Sequence, residues 1–300
     1  MHQPFCKQSG CVFHAVFQSD FCWQHIENKS DYRKKIAQLV TENIDCSGGN
    51  FERVRFGAVD FSGGAFNHCN FTAADFRHAR LDRCSFKHAT FLRANLQGAV
   101  LSKADLTCAN LEGALLENAA LQNGNLENAL CNYADFSGAD LTGANLSGTS
   151  AQHCLFTNSV LKNAAIEQAN FAFSHLNAVN AENAHGAFII FGGAKLVAAN
   201  FEKADLNRAN MVGADARNAN FRKANLYFIR PGRANFSGAD FQHANLKRAI
   251  YREADLSAAN LAGADITGAV FERANLSGIS PADLDLSDNN TKGAEFSLSA

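Results

Sequence analysis

Tryptophan and proline are nearly missing from this 300-residue chain, which has one Trp and three Pro beside two Met and four Tyr. Charged residues are few, 19% where about 25% is usual. Neither sign prevails: 27 Lys and Arg stand against 29 Asp and Glu, a formal charge of −2. That balance excludes a generally basic nucleic-acid binder and a strongly acidic protein alike. No stretch approaches the roughly 18 apolar residues of a membrane span. The first twenty residues include Cys6, Cys11 and Asp20 and lack the apolar centre of a secretory signal. The expected setting is the cytoplasm, with reduced thiols. What is present is apolar: 47% of the residues, including 25 Phe, enough to exclude wholesale disorder.

A large apolar residue recurs at every fifth position from Phe51 to Leu276, through Phe56, Phe61, Phe66, Phe71, Phe76 and Leu81. Of these 46 positions only Cys131, Ala151, Ala181, Gly186, Ala216 and Pro231 carry something else. Two residues before the large one stands a small one, Ala at 32 of the 46, and the residue between is commonly Asn or Asp, as at Asn95, Asp105 and Asn110. A helix would spread this pattern around all its sides, because five residues advance about 140° beyond a full turn. A flat strand would alternate it between faces. A bend inside every pentad keeps each small and each large residue inward, so the chain must wrap around an apolar axis. Gly and Asn suit the two variable corner positions, as at Gly138, Gly143, Asn158 and Asn163.

The consensus Ala-(Asn/Asp)-(Leu/Phe)-X-X resembles the pentapeptide-repeat family over residues 51–280. The resemblance implies an all-β fold: a right-handed quadrilateral β-helix of four pentads per coil, so the 46 positions make about 11–12 coils. It also implies stacked Phe and Leu columns and Asn side chains bonded along the axis. In related proteins the C-terminal end often dimerises, so a homodimer through that end is an expected partner arrangement.

Residues 1–50 lie outside the register. Ser30 is expected to N-cap a helix over 31–43, with Tyr32, Ile36, Leu39 and Val40 on one stripe, plugging the open end. This gives a short α-helical cap with its linker over 28–50. At the other end the register decays: Leu286 and Phe296 keep it, Pro281 and Thr291 break it, and Pro281 is placed to start a short helix within a degenerate cap of 281–300. Residues 1–27 hold Cys6, Cys11, Cys22 and His25 in the spacing C-x4-C-x10-C-x2-H, a Cys3His donor set suited to a structural zinc. So small a segment needs such a staple. The stretch CKQSGCVFHAVFQSDFCWQH also resembles short bacterial zinc-finger-like segments. Free thiols are the alternative, and His14 and His2 the substitute ligands. Of the other cysteines, Cys69, Cys84 and Cys154 fall in the small inward slot, Cys131 in a large one and Cys108 outward.

No phosphate-binding loop, dinucleotide fingerprint, HExxH or nucleophile elbow occurs, so the chain reads as no enzyme. Function then belongs to the outward slots. The face of Phe51, followed in steps of twenty, is the least regular, with Cys131, Ala151, Met211, Pro231 and Tyr251 in its large slots and Ile189 and Ile229 in its small ones. Near its corner come Phe173, Phe188, Ile190, Tyr227, Phe228 and Ile250, interleaved with Arg208, Arg230, Arg233, Arg248 and Arg252. Aromatic and Arg residues are the currency of binding hot spots; local repacking around Gly186 and Pro231 is the alternative. Charge is banded: 104–161 holds six acids and no Lys or Arg, while 195–252 holds 11 Lys or Arg against 4 acids. Some family members resemble a DNA duplex and bind DNA gyrase, protecting it from quinolones, and such mimicry needs acid over most of the surface. Over 51–280 there are 21 basic and 20 acidic residues. A protein-interaction scaffold is therefore the first reading and a gyrase- or topoisomerase-directed DNA mimic the alternative, with direct nucleic-acid or membrane binding not expected.

Overall fold

Each pentad folds as one tight turn followed by one extended step. The carbonyl of the large residue accepts the N–H of the small residue three positions on, as from Val54 to Phe51 at 3.1 Å, Ala74 to Phe71 at 2.9 Å and Ala194 to Phe191 at 2.9 Å. The third residue of the turn has positive φ, 61° at Arg53, 59° at His68 and 61° at Phe188, as a type II β-turn requires. The Asn or Asp before the large residue secures the turn with its side chain. Its Oδ1 accepts the N–H two residues on, as from Thr72 to Asn70 (3.0 Å) and from Glu202 to Asn200 (3.1 Å), which is the physical reason for that consensus position.

The computed structural model describes residues 4–279, 284 and 286–296. The chain divides into two compact units, Met1–Asp140 and Leu141–Ala300. Within each, the residue ahead of the large one forms a parallel bridge with the residue twenty positions on: Asn50 with Asn70 and Arg55 with Asp75 in the first unit, Ser150 with Asn170 and Ile190 with Asn210 in the second. Twenty residues therefore carry four turns and return to the same place. This is the bridging pattern of a repeat β-helix, and it satisfies the backbone from both sides. Phe71 N donates to Thr90 O at 2.7 Å, and Asn70 N to Gly49 O at 2.9 Å.

Side chains twenty apart stack inside each unit. The Phe71 ring lies parallel to those of Phe51 (5.1 Å) and Phe91 (4.9 Å), while Phe66, Phe76 and Phe86 meet it edge-on. Asn side chains form the expected ladders, Asn220 donating to Asn200 (3.0 Å) and Asn200 to Asn180 (3.1 Å). Cys69, Cys84, Cys131 and Cys154 are buried in the slots their register assigns. Burial pushes the thiols of Cys69 and Cys84 up to about 12, so both stay protonated. At Gly186 a large residue is missing, and an added Cβ would meet the side chains of Ile166 and Leu206 at 3.0 Å. Ile189, in the next small slot, is fully buried, as is Ile229 before Pro231. Beside both irregularities a large side chain therefore occupies a slot that elsewhere holds a small one.

The turn-and-bond pattern starts one pentad earlier than the sequence suggests. Cys46 occupies the large slot: its N–H donates to Ala65 O (3.0 Å) and its carbonyl accepts from Gly49 (3.1 Å). It also resumes at the far end, where Asn290 bridges Val270 and Glu295 bridges Asn275, so the register persists through Thr291. Pro281 and its expected helix lie outside the described residues.

The N-terminal helix, α1, runs Lys29–Thr41 and is capped by Asn28, not Ser30. The Asn28 Oδ1 accepts from Asp31 N (3.1 Å) and its Nδ2 donates to Asp31 Oδ2 (2.5 Å). Asp31 is the partner that Ser30 lacks, since Arg33 stands three residues after it. Tyr32, Ile36 and Val40 are buried as expected, Leu39 only half. The Tyr32 hydroxyl donates to Phe17 O at 2.9 Å. Phe17 in turn caps the first pentad, its N–H donating to Asn50 O at 2.6 Å and its ring lying 5.3 Å from that of Phe51. Replacing Asn28 by Ala is expected to cost about 1 kcal/mol of first-unit stability, whereas Ser30→Ala should stay within about 0.5 kcal/mol; denaturant titration of the two variants checks the assignment.

Candidate metal centre and partner-binding strip

A hairpin and a single helical turn bring four donors together. Phe5 and His14 form an antiparallel bridge, and Cys6 N donates to Phe13 O at 2.9 Å, so the hairpin carries Cys6 and Cys11. The 3-10 turn Trp23–His25 follows Cys22 and folds His25 back beside it. The Sγ atoms of Cys6, Cys11 and Cys22 and a ring nitrogen of His25 lie within 4.8 Å of one another. Cys11 Sγ is 3.7 Å from Cys22 Sγ, and His25 Nδ1 is 3.4 Å from Cys6 Sγ and 3.3 Å from Cys22 Sγ. A tetrahedron of Zn–S bonds of about 2.3 Å has edges of about 3.8 Å, slightly shorter toward nitrogen, so the donor set fits such an ion. Burial works against the Cys6 thiolate, but the backbone groups of Cys22 and Gln8 and the His25 ring hold its pKa down to about 6. Burial pushes Cys22 the other way. His14 does not join the cluster; its ring stacks on Phe5 at 4.5 Å. His2 lies outside the described residues.

The second unit carries the aromatic strip. Phe188 and Phe228 stand in equivalent turns forty residues apart, with Arg208 between them in the register. The Arg208 guanidinium lies 5.3 Å from the Phe188 ring centre and that of Arg230 lies 5.7 Å from Phe228. Phe188 is 49% exposed. Ile190, Tyr227, Phe228 and Ile250 are half-buried, and the Tyr227 and Phe228 rings are 6.2 Å apart. Phe173 does not belong to this column. It stands in the turn after Phe171, whereas Phe188 stands in the turn before Phe191, and it is 56% exposed and stacked on His153 at 5.3 Å. Gly193 leaves the room for it, since a Cβ there would sit 2.7 Å from the Phe173 ring. Arg233 is committed elsewhere, pairing with Glu253 at 2.9 Å, as Arg252 pairs with Glu272 at 3.0 Å.

Pro231 opens this strip. Met211 N donates to Arg230 O at 3.0 Å, but proline has no N–H to repeat that bond one coil on. The bridge series accordingly has no Arg230–Ile250 step among the described residues. There a shallow hollow of about 290 Å³ lies between Val212, Arg230, Gly232, Ile250 and Arg252.

A model of pentapeptide repeats matches in eight copies, over residues 50–87, 79–118, 94–130, 116–158, 190–228 and 234–273. The chain belongs to the pentapeptide-repeat family. Solved structures similar to it include HetL, a pentapeptide repeat protein involved in heterocyst differentiation regulation from the cyanobacterium Nostoc sp. strain PCC 7120, at 27% identity over 84% of this chain and 98% of that one (TM-score 0.42). QnrB1, a plasmid-mediated fluoroquinolone resistance protein, is similar at 20% identity over 67% of this chain and 89% of that one (TM-score 0.31). A pentapeptide repeat protein from the Arabidopsis thaliana thylakoid lumen is similar at 28% identity over 44% and 71% (TM-score 0.17). No curated protein matches the chain.

In this pentapeptide-repeat chain sequence reasoning missed Val212, 48% exposed beside the hollow. Its signal was available, because 212 falls in the column of Gly192, Gly232 and Arg252, where two glycines leave a valine without cover. Among the described residues no helix is long and apolar enough to cross a membrane.

Proposed function

We propose that this chain is a non-enzymatic repeat scaffold in the cytoplasm, a binding module that offers the Phe188–Phe228 strip to a protein partner. The observation that carries the reading is the placement of Arg208 and Arg230 on the two Phe rings, with no carboxylate partner among the described residues. A guanidinium held against an aromatic face keeps its N–H groups free for an incoming acceptor. Ring and cation together form the kind of anchor that dominates protein interfaces. The inward positions are filled by packed side chains, which leaves recognition to the outside. The finer architecture belongs to the same proposal: a right-handed, four-sided coil in about 11–12 copies, supported by four turns in every twenty residues. So does a structural zinc on Cys6, Cys11, Cys22 and His25. With four protein ligands it would have no open position and would act as a staple of the N-terminal cap. Topoisomerase-directed DNA mimicry draws no support from a strip whose unpaired charges are arginines.

Affinity capture from a native lysate tests the reading. Wild type should retain a protein partner that Phe188→Ser/Phe228→Ser and Arg208→Glu/Arg230→Glu each lose by at least about tenfold. Equal recovery from all three would discard the strip as a binding surface.

A further inference from the structure

Charges along the repeats are mostly paired within the chain, which makes the unpaired ones informative. Within 195–252, Lys195, Lys203, Arg217, Arg222, Arg233, Lys247 and Arg252 all reach a carboxylate. Among the described residues, four cations of that band make no ion pair, and three of the four, Arg208, Arg230 and Arg248, belong to the aromatic strip. The first unit shows the mirror image. Its acidic band, 104–140, has no Lys or Arg. There Asp105 meets Lys87 and Thr107, Glu117 meets Gln97, Asp135 accepts from Ser137 and Asp140 from Gln122. The carboxylates of Glu112 and Glu127 make no hydrogen bond or ion pair among the described residues, and both residues are exposed.

Counted by the twenty-residue repeat of the sequence, each of these acids has the register position that a residue of the second unit's strip or hollow has in its own unit. Glu112 has the register position of Val212, and Glu127 that of Tyr227. The first unit also exposes Leu130 (48%), at the register position of Ile190 and Arg230, and Tyr133 (63%), at that of Phe173 and Arg233. One chain thus carries two apolar strips at equivalent register positions, one per unit, with unpaired charges of opposite sign. We propose that the Phe188–Phe228 strip of one copy docks on the Glu112/Glu127/Leu130/Tyr133 strip of a second copy. This rests on reading the Phe188–Phe228 strip as a protein-binding surface, and it names the partner.

The physical case is complementarity. Opposite charges set against one another across an apolar contact steer and register association, while like charges oppose it. Arg208 and Arg230 already lie on rings, so they meet a carboxylate without giving up an internal ion pair, and Glu112 and Glu127 likewise leave none behind. Duplex nucleic acid is the rival occupant of a cationic strip, and it would have no use for the acidic one.

Sedimentation of the full chain in reducing buffer decides. Wild type should associate at about 0.01 M salt and dissociate near 1 M, where the screening length falls from about 30 Å to about 3 Å. Arg208→Glu/Arg230→Glu should be monomeric in low salt, and so should Glu112→Arg/Glu127→Arg, each weakened at least about tenfold. Mixed together, the two variants should associate again, because each then presents to the other the sign it lacks in itself. Circular dichroism melts matching wild type establish that the variants are folded; if one is not, the salt response of wild type still decides. A wild type that stays monomeric at every salt and concentration overturns the proposal, as does association of either variant at wild-type strength. A monomer that binds duplex DNA through Arg208 and Arg230 overturns it in favour of nucleic acid. Strip-dependent capture of another protein by a monomeric wild type would sink the second copy and leave the protein-binding reading standing. Equal capture by a monomeric wild type and its variants would end both.

Discussion

Phe71→Ala is expected to remove about 3–5 kcal/mol from the first unit, the range for deleting a buried aromatic ring. Phe71 is fully buried and touches five other rings, two of them stacked face to face at 4.9 and 5.1 Å. Each such pair adds about 0.5–1.5 kcal/mol beyond area burial. The turns around it cannot collapse into the gap, because their backbones are bonded to the coils before and after, Phe71 N to Thr90 O and Asn70 N to Gly49 O. Phe71→Leu should cost much less, on the order of 1 kcal/mol, since Leu111 already occupies the same column. In a repeat stack each element touches only its neighbours, so the loss should be local. Hydrogen exchange should accelerate at the amides of Phe51, Asn70 and Phe91 and stay unchanged in 141–279. An alanine variant within about 0.5 kcal/mol of wild type, the scale of a surface change, would mean that the column does not hold the unit together.

Removing metal should have the second large effect, confined to the other end of the same unit. Structural zinc binds small Cys and His segments with apparent free energies on the order of 10 kcal/mol. Here the Cys3His knob positions the segment from Ala15 to Phe17. Asn50 Nδ2 donates to Ala15 O at 2.8 Å, and Phe17 N to Asn50 O at 2.6 Å. Chelation in reducing buffer, or Cys22→Ser, should therefore free the amide of Phe17 to exchange and loosen the first pentads, leaving the second unit's unfolding midpoint in place. Native mass spectrometry should find one zinc per chain in wild type. A purified chain without metal, or full protection of Phe17 after chelation, would dismiss the zinc.

The register of the fold was readable because nearly every fifth residue fills the core, as Phe51 and Leu276 do, both fully buried. The turn chemistry was not. A left-handed residue normally announces itself as Gly or Asn, but here Arg53, His68, Ala73 and Phe188 adopt it, each with φ between 53° and 61°. The cost of about 1–2 kcal/mol per residue is absorbed by bonds that only the stacked structure reveals. The cap of α1 was readable but misplaced: Ser30 and Asn28 both cap well, and the deciding partner, Asp31, lies three residues from Asn28 alone. The Cys3His cluster was legible from spacing, because three thiols and an imidazole recur within a segment too short for a core, and the structure brings them within 4.8 Å of one another. The strip was legible in composition and not in detail. Phe173 shares residue type but not column with Phe188, and the difference between paired Arg233 and unpaired Arg230 appears only once the carboxylates twenty residues away, such as Glu253, are in place.

The bridge from each residue to the one twenty positions on, as from Ile190 to Asn210, has a consequence for how such a chain changes length over generations. Within a unit, gaining or losing twenty residues leaves every later side chain in its old column, so a duplication of that size extends the surface without rewriting it. Gaining five keeps the core intact but moves every later outward residue one side around: Phe228 would leave the column of Phe188, and the strip would be broken with its residues unaltered. Gaining one destroys the core at once. Inheritance can therefore treat twenty residues as a silent unit of growth and five as a means of re-addressing a surface to a different neighbour.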